Sequence, residues 1–303
     1  MSCSGGGTEK PLPDSITSPA YYLDQGFQHY SQNNYAQAID NFNRALTGYR
    51  SIDNLVGITQ SCLNLANSYM AINNNEVASE YLDKANLLVT DQTDIEIRDH
   101  LHLLNSTLAI KNKLHERALS ELSTVLNSPD NHTKLAALKN RTIIAFMEDA
   151  SDRSNWLKEY EELQKITPDS QAHLAHIYRL QATLNSDIER RDQLLEKSLG
   201  ISRTLANRPA IAATLTQWAD TLAQTKTDDA EDKYLRALFI RHQLGDVTNT
   251  LEILKKLDKV YQQTGDDKQQ NTSKWIDALS QHPISNWSIL LVDFDDYPKP
   301  AQQ

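Results

Sequence analysis

Nine histidines, two cysteines and 40 acidic residues are the side chains from which a catalytic or metal site would have to be drawn. His173 and His176 stand three apart, so on a helix they share a face and both rings can approach one zinc ion. No carboxylate completes an HExxH pattern around them. His100 and His102, two apart, point to different sides of a helix. Cys62 falls in the apolar helical stretch from Gln60 to Tyr69, where a thiol packs as a small hydrophobe. Asp228-Asp229 and Asp266-Asp267 precede helical stretches, where carboxylates cap free N–H groups and favour the helix dipole. No glycine-rich phosphate loop and no GxSxG nucleophile elbow occurs. The expectation is a protein with no catalytic residue, no cofactor and no metal: not an enzyme.

The elements that would carry these residues follow from composition and period. The chain has 303 residues, 39% of them hydrophobic and 23% charged, which is a globular balance. Its nine glycines include the run Gly5-Gly6-Gly7, too few elsewhere for the turns of a doubly wound sheet or barrel. The longest apolar run, Ile143–Met147, falls far short of a bilayer span. A net charge of −10, with no block of four basic residues, excludes a general nucleic-acid surface.

From Ala20 to His282 apolar residues recur at helical spacing. Pro129, Pro168 and Pro209 interrupt them at intervals of 39 and 41 residues, marking units long enough for two helices each. Small residues keep the same period: Ala38, Ala78 and Ala118 are 40 apart, each followed four positions on by Phe42, Leu82 and Leu122. A small residue that admits a neighbouring helix, beside a large one that fills the next groove, repeated at a fixed period, signals stacked hairpins.

The stretch Tyr22–Leu46, with Gly26, Tyr30, Tyr35, Ala38, Ile39, Phe42, Ala45 and Leu46, resembles a tetratricopeptide repeat. Leu65, Ala66, Tyr69, Ala78, Leu82 and Ala85 resemble a second, and Leu215, Trp218, Ala219, Leu222, Ala230, Tyr234, Ala237 and Leu238 a later one. Residues 132–148 with 153–166, and 170–186 with 188–206, read as two degenerate hairpins. The resemblance implies an all-α fold, a right-handed superhelical α-solenoid of about seven tetratricopeptide-like hairpins over residues 20–282. Residues 1–19, rich in Gly, Ser, Thr and Pro, read as a flexible tether. Residues 283–303, with Trp287, Ile289, Leu290, Leu291, Val292 and Phe294, read as a tail that caps the last hairpin or is offered to a partner.

Cys3, followed by Ser-Gly-Gly-Gly, is similar to the start of a mature bacterial lipoprotein once its signal segment has been removed. That resemblance implies lipidation of the Cys3 sulfur and attachment by the anchor alone, at the outer membrane and facing the periplasm. The tetratricopeptide resemblance implies that the first helix of each hairpin lines a concave groove. By position, Leu23, Phe27, Tyr30, Leu63, Asn67, Met70, Leu103, Thr107 and Ile110 fall there. Leu23 and Phe27 stand where carboxylate-gripping relatives carry polar and positive residues, so the front suits a partner presenting apolar side chains. The expected function is a non-catalytic scaffold of the cell envelope that holds a peptide or helix of another protein. A cytoplasmic peptide-sensing regulator of the same architecture is the alternative.

Overall fold

The computed structural model describes residues 18–281. The tether with Cys3 and the C-terminal tail therefore lie outside the described residues, apart from the tether's last two positions. The described chain forms seven hairpins: α1 (Pro19–Ser31) with α2 (Tyr35–Ser51), α3 (Leu55–Ala71) with α4 (Asn75–Leu88), and α5 (Ile95–Lys111) with α6 (His115–Val125). Then come α7 (Asn131–Met147) with α8 (Arg153–Ile166), α9 (Gln171–Leu184) with α10 (Ile188–Thr204), α11 (Arg208–Leu222) with α12 (Thr227–Gln243), and α13 (Val247–Thr264) with α14 (Gln269–Gln281). No strand occurs among the described residues. Pro129 and Pro168 sit between hairpins, and Pro209 lies in the first turn of α11, where its missing N–H costs nothing.

Helix starts are set by short polar side chains. Asn54, Asn74, Asp94, Asp130, Asp187 and Asn207 accept hydrogen bonds from the first-turn N–H groups of α3, α4, α5, α7, α10 and α11. Asp228 and Asp229 occupy the first turn of α12, and Asp266 accepts from the Lys268 N–H just before α14. Within the first three hairpins the chain turns through left-handed residues, Asn33 (φ 60°), Asn73 (φ 59°) and Lys113 (φ 60°), 40 residues apart.

In the second, third and fourth hairpins the first helix is buried on more of its surface than the second. Thus α3 buries Cys62, Leu63, Leu65, Ala66 and Met70 together with Thr59, Ser61 and Ser68, whereas α4 buries only Ala78, Leu82 and Ala85. The buried hydroxyls of Ser61, Ser68, Thr142, Thr214 and Thr250 each bond the carbonyl four residues back. A small side chain can then sit in a close helix contact with no polar atom left unsatisfied.

Every alanine of the 40-residue series, with its partner, is at most 1% exposed. Gly26 holds the ring of Phe42 so closely that a Cβ there would lie 2.3 Å from it, and Gly57 holds Tyr49 the same way. In the two central hairpins the core passes instead to Tyr160, Leu135, Leu138, Leu157 and Ile177. Ser198 ties α10 to α9 by donating to the Ala175 carbonyl at 2.8 Å.

Candidate binding surface on the concave face

The solenoid completes a turn and meets itself. The Asn33 amide donates to the Ala206 carbonyl at 3.3 Å, and the Asn73 amide bonds the Asp246 carboxylate. Both contacts span 173 residues, so the turns inside hairpins one and two meet the turns that lead into hairpins six and seven. Asp246 is 1% exposed and also holds Arg241 (2.9 Å) and the Asn249 N–H that begins α13. Lys111 donates to Asn73 from the inner side at 2.6 Å.

Two cavities lie along the first helices of the early hairpins. One, of about 590 Å³, is lined by Leu23, Phe27, Leu63, Ile97 and Leu103, with Asp94, Glu96 and His100 among its polar residues. The other is a polar chamber of about 560 Å³ inside the closed turn, lined by Tyr30, Asn67, Met70, Thr107, Lys111, Lys139, Asn207, Arg241, Asp246 and Asn249.

The residues picked from the sequence thus fall into two groups. Leu23, Phe27, Leu63 and Leu103 line the first cavity, and Tyr30, Asn67, Met70 and Thr107 the polar chamber. Ile110 lines neither and packs against the cluster of Ala109, Ala118 and Leu122. Leu63 and Met70, 1% and 2% exposed, are walls built from core side chains, while Phe27 is 46% exposed and meets Phe42 edge-on at 5.5 Å.

Local spacing gives no sign of Lys139, Arg241 and Asp246, because what brings them together is the closing turn. A signal for Lys111 was present: Ser31, Ala71 and Lys111 follow the 40-residue period and all three line the chamber.

The paired histidines do not converge. His173 Nδ1 meets the buried Tyr160 hydroxyl at 2.7 Å, and His176 Nδ1 meets Arg179 Nη2 at 2.7 Å. An arginine only donates, so His176 accepts through Nδ1 and is neutral. Burial first, then the charge of Arg179, holds it well below its usual pKa. Burial, with the Lys139 ammonium, pushes His173 down to about 4. His102 pairs with Glu121 at 2.7 Å. Cys62 is fully buried, and burial raises its thiol pKa. No group of three metal-ligating side chains converges among the described residues.

No family model matches the sequence, nor does any curated protein sequence. Among solved structures the chain is similar to a Rap protein crystallised in complex with Competence and Sporulation Factor. That likeness has a TM-score of 0.65 and 12% identity, covering 87% of this chain and 75% of the other. It is also matched to BtubC (BKLC) from P. vanneervenii, with 14% identity over 91% of this chain and 95% of that one. The TM-score of 0.31 there is too low for a conclusion about shape. The first likeness, together with seven stacked hairpins, makes the fold that of a tetratricopeptide-like helical-repeat solenoid.

Proposed function

We propose that this protein is a non-catalytic scaffold that holds a segment of a partner protein, as an extended peptide or a helix, against its concave face. The observation that carries this is Phe27, an aromatic side chain half in water in a cavity of about 590 Å³ whose other apolar walls are Leu23, Val56, Leu63, Ile97 and Leu103. Single exposed apolar residues are ordinary on protein surfaces. An exposed aromatic beside a cavity large enough for a partner's side chains has the form of an interface anchor. The Rap protein that shares the fold, in complex with another factor, supports the same reading.

The proposal extends to location. Acyl chains on Cys3 would hold the solenoid at the periplasmic face of the outer membrane, with residues 1–19 as spacer, for work in envelope assembly or export. A cytoplasmic peptide-sensing regulator of the same architecture is the second reading; the Rap complex supports the binding that both readings share. Intact mass from the native host separates them: added acyl mass at Cys3 supports the anchor, and an unmodified thiol supports the cytoplasmic reading.

Groove binding is tested by selecting binders from a displayed random-peptide library. Phe27→Asp is expected to weaken the selected peptides at least tenfold. Lys158→Ala, on the exposed face of α8, should leave them unchanged. Failure to enrich any peptide, or equal binding by Phe27→Asp, would overturn the scaffold reading.

A further inference from the structure

The chamber inside the closed turn has the opposite charge to the molecule around it. The protein carries −10 overall, yet the chamber's charged lining is Lys111, Lys139 and Arg241 against one carboxylate, Asp246. That carboxylate is already engaged with Arg241, Asn73 and Asn249. Lys111 reaches only an amide oxygen. Lys139 has no hydrogen-bond or ion-pair partner among the described residues. Arg241 Nε and His176 Nε2 are buried without a hydrogen-bond partner. Arg179, on α9, has a neutral histidine for its side-chain partner.

The cations feel one another. Burial, and then the charge of Arg179, lowers the Lys139 pKa; burial, and then Arg241, brings Arg179 down to about 10. Bringing several cations together away from bulk water, short of carboxylates, destabilises a fold unless a ligand supplies the missing charge.

We propose that the chamber is an acidic-side-chain subsite, in which aspartate or glutamate residues of a bound protein segment pair with Lys139, Lys111 and Arg241. This rests on the scaffold reading and adds the charge of the partner to it. The neighbouring cavity of Phe27 and Leu103 contains Asp94 and Glu96 and no Lys or Arg in its lining. The segment is therefore polarised: apolar side chains at Phe27 and Leu103, acids in the chamber.

A polyphosphate chain fits less well. A net charge of −10 repels it at long range, and the aromatic rings of the chamber, Tyr30 and Tyr35, are packed edge-on against each other at 5.3 Å and so are not a platform for bases.

The probe is a set of fluorescent, C-terminally amidated dodecapeptides that share a Leu-Phe pair and carry Glu, Gln or Lys at four variable positions. Binding is measured on the full chain at low and at physiological salt. The Glu peptides are expected to bind the wild type at least tenfold more tightly than the Gln peptides, and the Lys peptides most weakly. Lys139→Gln should erase the Glu preference and Lys139→Arg should keep it. Because Lys139 lacks a partner, Lys139→Gln should melt no lower than the wild type, a result that a structural role would not give.

Equal binding of Glu and Gln peptides by the wild type sinks the subsite and leaves the scaffold standing. If no peptide binds, and the displayed library also enriches nothing, both fall. A single-stranded oligonucleotide that binds more tightly than the Glu peptides through Lys139 overturns the choice of occupant.

Discussion

Tyr160 with His173, and His176 with Arg179, form two neighbouring hydrogen-bonded pairs whose protonation is set by where the fold puts them. His173 stays neutral in the folded chain down to about pH 4, whereas in the unfolded chain it titrates near 6.5. Between those values the unfolded state binds more protons, so stability rises with pH and is lost as pH falls from 6.5 towards 4. His173→Asn keeps an acceptor for the Tyr160 hydroxyl and removes the titration. In urea denaturation, the wild type should lose on the order of 1–2 kcal/mol more than the variant between pH 7 and pH 5. Carboxylates titrate alike in both proteins, so parallel losses would remove His173 as the cause. Lys113 is also held at a cost, as are other left-handed residues such as Ala206: it carries φ 60° where the matching turns have Asn33 and Asn73. A Cβ-bearing, non-Asn residue in that region is strained by about 1–2 kcal/mol. Lys113→Asn is expected to raise the melting midpoint, and a fall would show that the lysine side chain itself stabilises the turn.

At the scale of the helix, close contacts are set by small residues, and the sequence announced those contacts where the small residue recurs. Ala38 lies at the tight contact of the first hairpin and is 0% exposed; Ala38→Leu should overpack it and cost about 1–3 kcal/mol. An unchanged midpoint in thermal denaturation would count against the repeat register. Hairpins one, two and six were legible because the alanine and its large partner mark which face is covered. The central hairpins were legible only as helices. Their contacts are made by Tyr160, Leu157 and Ile177 and by polar ties such as Ser198 to Ala175, and none of these repeats at a fixed interval. Of the nine residues that helical register places on the first helices, all but Ile110 line one cavity or the other, since register along α1, α3 and α5 is local. Register gave no sign that Leu63 and Met70 would be consumed by the core, because depth depends on how tightly the next hairpin packs.

The whole molecule adds a contact that a stack of neighbours does not require. In a solenoid each hairpin is stabilised by the ones beside it, so the core runs as a ribbon from α1 to α14 and owes little to the seam. The seam is polar, and its side-chain donors are Asn33 and Asn73, which also occupy the left-handed turn positions. This sets up a separation between shape and stability. Asn33→Gly with Asn73→Gly removes both side chains while keeping residues that tolerate positive φ. The double variant should lose no more than about 2 kcal/mol, the scale of two partly exposed hydrogen bonds. Its geometry should change far more. Gln37 and Gln243 are exposed on opposite sides of the seam and line one surface cavity of about 720 Å³ with Asn33 and Gly245. Spin labels at Gln37→Cys and Gln243→Cys, in a Cys3→Ser, Cys62→Ala background, report the width of that gap. In the wild type the distance distribution should be narrow; in the glycine double variant it should broaden and shift outward while the helical signal is retained. The chamber draws Lys111 and Lys139 from one arm of the turn and Arg241 from the other, so opening the seam pulls its cations apart. The Glu-over-Gln preference of the peptide probe should then fall with the widening, although none of the three cations has been changed. A double variant as narrow as the wild type would show that the turn is held closed by the stacking of the hairpins alone.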